Sequence, residues 1–258
     1  MSSAVPALSG LRIGPVSYLN AKPLIWGLNS NCLQTDVPAA LSEQFFAGKL
    51  DVALLPIVDV LRVGAASVVD NVGIACDGEV YSVVVASRTS FLETRKIHLD
   101  PASRSSTALL RVLLAEFYPQ GPQIAEGEEM PVDGARLLIG DSAIAFRRWK
   151  GSTWNYHDLG WLWKVHTGLP FVFAVWAVAK GASPAVFDAL RGVKAAGLAA
   201  RREIAVAEPD PEFAYRYLTK HIRYDIGSDE KDGLRHFESL ARRHGILPNT
   251  SSARLEFR

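Results

Sequence analysis

The chain has 258 residues, 28 Lys and Arg against 27 Asp and Glu for a formal charge of +1, and 48% hydrophobic residues. This composition excludes a disordered, collagenous or disulfide-dense chain and leaves room for one large domain or two modest lobes. A near-zero charge without a dense Lys/Arg run argues against nucleic acid and anionic membrane as partners, and points to small molecules instead.

The elements are read in chain order from hydrophobic period and from Pro and Gly punctuation. Leu11 to Gly14 is expected as a strand, Ala21 to Leu28 as a helix and Cys32 to Val37 as a second strand. Pro38 opens a helix with Leu41, Phe45 and Phe46 on one face and Gly48 as its stop. Asp51 to Leu55 reads as a buried strand, Ile57 to Val63 as a helix and Val80 to Ala86 as a strand. A second alternating set follows: strand Ile97 to Leu99, helix Ser105 to Tyr118, strand Arg136 to Ile139, helix Ser142 to Arg148 and a helical stretch from Trp161 to His166. Phe171 to Ala179 is an apolar strand started by Pro170. The longest apolar run, Pro170 to Ala179, has ten residues and is half a membrane span. From Ser183 the pattern is helical: a long stretch from Pro184 to Val206, a helix opened by Asp210-Pro211, and a last one from Ile226 to His244. Alternation of this kind implies an α/β fold with parallel strands. Two α/β lobes are expected, lobe 1 from residues 1–86 plus 175–258 and lobe 2 from 87–174, with a cleft that closes by hinge motion around a small ligand.

Only Cys32 and Cys76 occur, and they form neither a metal motif nor a disulfide framework. Both are expected to be buried and reduced. The first ten residues lack the basic and apolar regions of a secretory signal, so a cytoplasmic protein is expected. Nucleotide-binding glycine motifs, His-Glu-x-x-His and Gly-x-Ser-x-Gly are absent, and the six histidines lack ligand spacing. No cofactor and no metal are expected.

The informative segments follow strand ends, where crevices of open α/β sheets lie. Ser17, Tyr18 and Asn20 come directly after the first strand and carry hydroxyl and amide groups toward such a crevice; Asn20 is equally suited to cap the following helix. Ser105, Ser106 and Thr107 open an amphipathic helix, whose free backbone N–H groups and consecutive hydroxyls suit a carboxylate. Asp141 follows the strand ending at Ile139 and reads as an N-cap or a cleft residue. Thr167 and Gly168 lie in a turn at the second lobe crossing. Trp161, Trp163 and Trp176 read as core.

Arg12-Ile13-Gly14 with Ser17 to Leu24, Asp100-Pro101 with Ser103 to Ser106, Leu138 to Asp141, Asp158-Leu159-Gly160 and Thr167 to Ala174, in this order, resemble the chorismate dehydratases of menaquinone biosynthesis. The resemblance covers roughly residues 11 to 180. Ser105 stands where Thr is expected, and the helical tail contributes no matching motif. The resemblance implies a two-lobed fold like that of periplasmic binding proteins (type II), with two crossings and a helical C-terminal tail. It also implies a lyase that converts the dicarboxylate chorismate into 3-[(1-carboxyvinyl)oxy]benzoate and water. A later enzyme of the same route that makes dihydroxynaphthoate, or a non-catalytic carboxylate-binding protein, is the alternative. Asn20 is then the catalytic residue, orienting the substrate while a substrate carboxylate takes the ring proton, with Asp141 as the rival base. Ser17, Tyr18, Ser82, Ser105, Ser106, Thr107, Asp141, Thr167 and Gly168 form the expected substrate-binding set. A homo-oligomer is compatible with the chain.

Overall fold

The computed structural model describes residues 5–64, 67–249 and 255–258. Strand β1 (Ile13–Gly14) leads into a 3-10 helix (Leu19–Ile25), then α1 (Pro38–Phe46), β2 (Val52–Pro56), α2 (Ile57–Val63) and β3 (Ser67–Cys76). The middle of the chain adds β4 (Val83–Ser87), β5 (Lys96–His98), α3 (Ser105–Phe117), β6 (Gln123–Ala125), β7 (Ala135–Ile139), α4 (Gly140–Lys150), β8 (Asn155–Asp158) and α5 (Leu159–Thr167). It then returns through β9 (Phe171–Val178) to α6 (Pro184–Ala199), α7 (Arg201–Val206), α8 (Pro211–Arg216), a π-helix (Tyr217–His221), α9 (Ser228–Arg243) and β10 (Glu256–Phe257).

Among the described residues the strands form two five-stranded sheets, ordered β1-β2-β9-β3-β10 and β6-β5-β7-β4-β8. Pairing is parallel between β1 and β2 and from β5 to β6 and β7, as the alternation predicted. Around one strand of each sheet it is antiparallel. β9 runs against both β2 and β3, and β4 against both β7 and β8. These two are the strands by which the chain enters a sheet from the other one, so they arrive in the opposite direction. The expected lobe boundaries after residues 86 and 174 fall inside β4 and β9, which pair wholly within the second and first sheet respectively.

Other departures have local causes. The expected strand from Cys32 to Val37 is a 3-10 turn at Ser30–Cys32, capped by Asn29, followed by a single bridge from Leu33 to Ile13. The expected α-helix from Ala21 to Leu28 is instead the 3-10 helix, with Pro23 inside it. The helix starts at Leu19, so an α-helical ladder over these residues would need an N–H at Pro23 to reach the Leu19 carbonyl, and proline lacks it. The long helix from Pro184 breaks at Ala200 into α6 and α7. β3 escapes sequence reading because Asp70 and Asn71 interrupt its apolar pattern, and its register against β9 shifts between Val68 and Gly73.

The core runs through both sheets, with Trp163 and Trp176 fully buried, whereas Trp161 is exposed at 55%. Cys76 is buried and Cys32 half-buried, and both are free thiols. Helix α6 lies directly on the 3-10 helix because residue 197 is glycine: a Cβ there would sit 1.8 Å from the Pro23 carbonyl oxygen. That contact fixes the height of the turn that carries Asn20.

Candidate active site between the two sheets

A cavity opens where the two sheets face each other, with about 590 Å³ of empty space counting its mouth. Its apolar walls include Leu54, Pro56, Ile74, Val83, Ile139 and Phe173, contributed by both sheets. Polar groups come from three places: Tyr18 and Asn20 after β1, Ser82 before β4, and Ser103 to Ser106 at the start of α3.

Asn20 lies inside the 3-10 helix, and its side chain caps nothing: Oδ1 is buried without a hydrogen-bond partner. The Tyr217 O–H donates to Ser82 Oγ at 2.7 Å. Burial pushes the Tyr217 phenol well above its ordinary range, so it stays a neutral donor. Tyr18 is also held up by burial, with Asp100 and Asp141 adding to the shift, and remains a protonated hydroxyl.

At the start of α3, Arg104 occupies the N-cap position without a side-chain cap, so the first-turn N–H groups have no side-chain acceptor. Its Nε is buried and unpartnered, and one amino nitrogen reaches Glu43 at 3.3 Å. Arg104 is the one charged side chain among the described lining residues. Ser103 Oγ is likewise buried without a partner. Ser105 differs, for its hydroxyl donates to the Phe173 carbonyl at 2.8 Å and thereby ties α3 to β9.

Of the residues singled out from sequence, Asn20, Tyr18, Ser82, Ser105 and Ser106 line this cavity. Five do not. Ser17 is exposed beside the mouth. Thr107 turns to the far side of α3, with Oγ1 unpartnered in a groove shared with Arg62 and Arg111. Asp141 neither caps α4 nor enters the cavity: Oδ1 accepts the Leu19 N–H at 3.0 Å, joining the second sheet's helix to the 3-10 turn. Thr167 donates to the Trp163 carbonyl at 2.8 Å and accepts from the Leu169 N–H at 3.1 Å. Gly168, with φ of +71°, closes α5 as its left-handed C-cap. Turn formation fully occupies these last two. Sequence reading passed over Arg104, Ser103 and Tyr217. Arg104 carried a signal, as the single cation among consecutive small hydroxyl residues, whereas Tyr217 carried none.

The passage between the sheets is fastened by Asp158, which accepts the N–H groups of Val80 at 3.1 Å and Tyr81 at 2.7 Å while capping α5 through Trp161 at 3.0 Å. This explains why Asp158-Leu159-Gly160 recurs in the resemblance. A Cβ on Gly160 would meet Cys76 Sγ and the Gly78 carbonyl at 2.5 Å. Among the described residues no group of three or more His, Cys, Asp or Glu is placed to hold a metal ion. Nor is any helix long and apolar enough to cross a membrane.

A family model described as menaquinone biosynthesis matches residues 11–243. The chain belongs to the menaquinone biosynthesis family. The match runs beyond the segments that carried the resemblance and takes in the tail with Tyr217. Chorismate dehydratase of Thermus thermophilus, similar to this chain, is 30% identical over 254 residues, covering 87% of this chain and 93% of that protein. A crystal structure of an Archaeoglobus fulgidus protein superposes with a TM-score of 0.69 at 16% identity, over 92% of this chain and 98% of that one. The periplasmic aliphatic sulphonate binding protein of Escherichia coli follows with a TM-score of 0.60 at 15% identity, over 95% of each chain. The family member described here therefore has the periplasmic-binding-protein fold that the resemblance implied.

Proposed function

We propose that this protein is a chorismate dehydratase, a carbon-oxygen lyase that converts chorismate into 3-[(1-carboxyvinyl)oxy]benzoate and water. The observation that carries the reading is the make-up of the cavity wall. A dianion needs cationic or N–H partners for its carboxylates, and the site offers Arg104 and the uncapped start of α3 on one side. Charge-assisted hydrogen bonds of this kind are among the stronger ones available. Across the cavity, Asn20, Tyr18 and Ser82 supply neutral polar groups.

No Asp, Glu, His or Lys is among the described residues of the lining. An amide does not act as a general base at neutral pH. The ring proton accordingly passes to a carboxylate of the substrate itself, the enolpyruvyl one being nearest. The C–H electron pair becomes the new ring double bond, the neighbouring C–O bond breaks, and the proton leaves with the hydroxide as water. Aromatisation supplies much of the driving force, so the protein's part is orientation and exclusion of water.

Incubating the purified protein with chorismate tests this. Loss of the diene absorbance, with one equivalent of the aromatic dicarboxylate formed, is the expected result. Binding without consumption would instead favour a carboxylate-binding protein on the same fold.

A further inference from the structure

Tyr217 belongs to the helical tail, yet its hydroxyl reaches the back of the cavity wall. The ring is fully buried and stacks on Phe213 at 6.0 Å between centroids. It opens the one turn of π-helix that continues α8. A π turn inserts one residue into the helical repeat and re-aims the side chains around it, an arrangement common near functional sites. Here the re-aimed side chain meets Ser82 behind the cavity wall.

Each hydroxyl has one proton to donate and can accept others. The Tyr217 proton goes to Ser82 Oγ at 2.7 Å. Ser82 is fully buried and lines the cavity, and none of the described residues accepts its own proton. Asn20 Oδ1, on the same wall, is buried and unpartnered. Ser82 and Asn20 thus leave one donor and one acceptor for whatever occupies the cavity. Such a pair complements an alcohol, which accepts from Ser82 and donates to Asn20.

We infer that Tyr217 is a positioning residue for the reaction: it fixes the Ser82 hydroxyl so that this group, beside the Asn20 carbonyl, holds the substrate hydroxyl that departs. This rests on the dehydratase reading. In the step itself the substrate C–O bond breaks and Ser82 steadies the leaving oxygen by a hydrogen bond while keeping its own proton. The proton that completes water is the one removed from the ring. Without Tyr217, the Ser82 hydroxyl turns freely.

The test is a kinetic double-mutant cycle on Tyr217→Phe, Ser82→Ala and the pair, in the full-length protein, with chorismate as substrate and thermal melting of each variant. Tyr217→Phe keeps the ring in its packing and removes only the hydroxyl. Its kcat is expected to fall about 10- to 100-fold with KM changed less than about threefold, since misdirected groups cost orientation more than affinity. The double variant is expected to be no slower than the slower single variant, because Tyr217 acts through Ser82. Wild-type kcat in folded Tyr217→Phe, or losses that multiply in the double variant, would overturn the inference. A lower melting temperature at unchanged kcat also counts against it. If Tyr217→Phe does not fold, Ser82→Ala alone decides: a comparable kcat loss is expected, and wild-type kcat in the folded variant overturns the inference, because Tyr217 acts through Ser82. An inert wild-type protein would instead remove the dehydratase reading, and this inference with it.

Discussion

Arg104 and Asp158 show how single residues divide the labour at this site. Arg104 lines the cavity, its Nε is buried and unpartnered, and among the described residues its ion-pair partner is an exposed carboxylate, Glu43, at 3.3 Å. Removing its charge, in Arg104→Gln, should raise KM for chorismate about 10- to 100-fold, the worth of one charge-assisted hydrogen bond. Steady-state kinetics check this, and an unchanged KM would assign the carboxylates elsewhere. Asp158 serves the fold instead. Burial pushes it up to about 6 from the ordinary 3.8, against three backbone N–H groups that favour its charged form. Its folded-state proton affinity exceeds the unfolded one, so its contribution to stability is present below pH of about 4 and is lost as pH rises through about 6. The two-unit difference corresponds to about 3 kcal/mol. Urea unfolding between pH 4 and 7 should therefore show a flatter pH dependence in Asp158→Asn than in the wild type, and parallel profiles would contradict it. Cavity residues were legible in sequence where a strand end and a helix start coincide, as for Asn20 and Ser106. Thr167 and Asp141 misled for one reason: a polar side chain at such a place satisfies backbone groups as readily as it meets a ligand.

At the scale of elements, the site depends on a 3-10 turn held from behind by α6. Gly197 permits the approach, and a methyl group there would lie 1.8 Å from the Pro23 carbonyl oxygen. Backbone is met on both sides, so the helices must separate. Gly197→Ala is expected to destabilise the protein by about 1–3 kcal/mol, the usual cost of overpacking, and to lower kcat because Asn20 moves with the turn. Denaturant unfolding together with turnover checks both effects; stability lost with kcat intact would uncouple α6 from the site. Regular elements with clear punctuation were readable, among them α1 behind Pro38 and α6 behind Pro184. Those not readable from local pattern, β3 with its shifted register and the turn interrupted by Pro23, are set by long-range pairing and packing. The antiparallel pairing of β4 and β9 was hidden for the same reason, since strand direction is a property of the crossing between sheets.

For the whole molecule, the two halves already touch around the cavity. Asp141 accepts from Leu19, the Tyr18 ring lies against Gly140, and Ser105 donates to Phe173. Asp141→Asn keeps an acceptor oxygen and should turn over near the wild-type rate, which also separates this role from that of a base. Asp141→Ala removes the link and should raise KM about three- to tenfold with a smaller effect on kcat. A large kcat loss in Asp141→Asn would restore it as the base. The account's central claim is that groups from both sheets converge on one small dicarboxylate between them. A crystal structure with 3-[(1-carboxyvinyl)oxy]benzoate bound tests it most directly: the ligand should lie between the sheets, one carboxylate at Arg104 and the start of α3, with Asn20 and Ser82 within hydrogen-bond distance. A product molecule bound outside this cavity, or one touching Asn20 and Ser82 while Arg104 stays with Glu43, would contradict it.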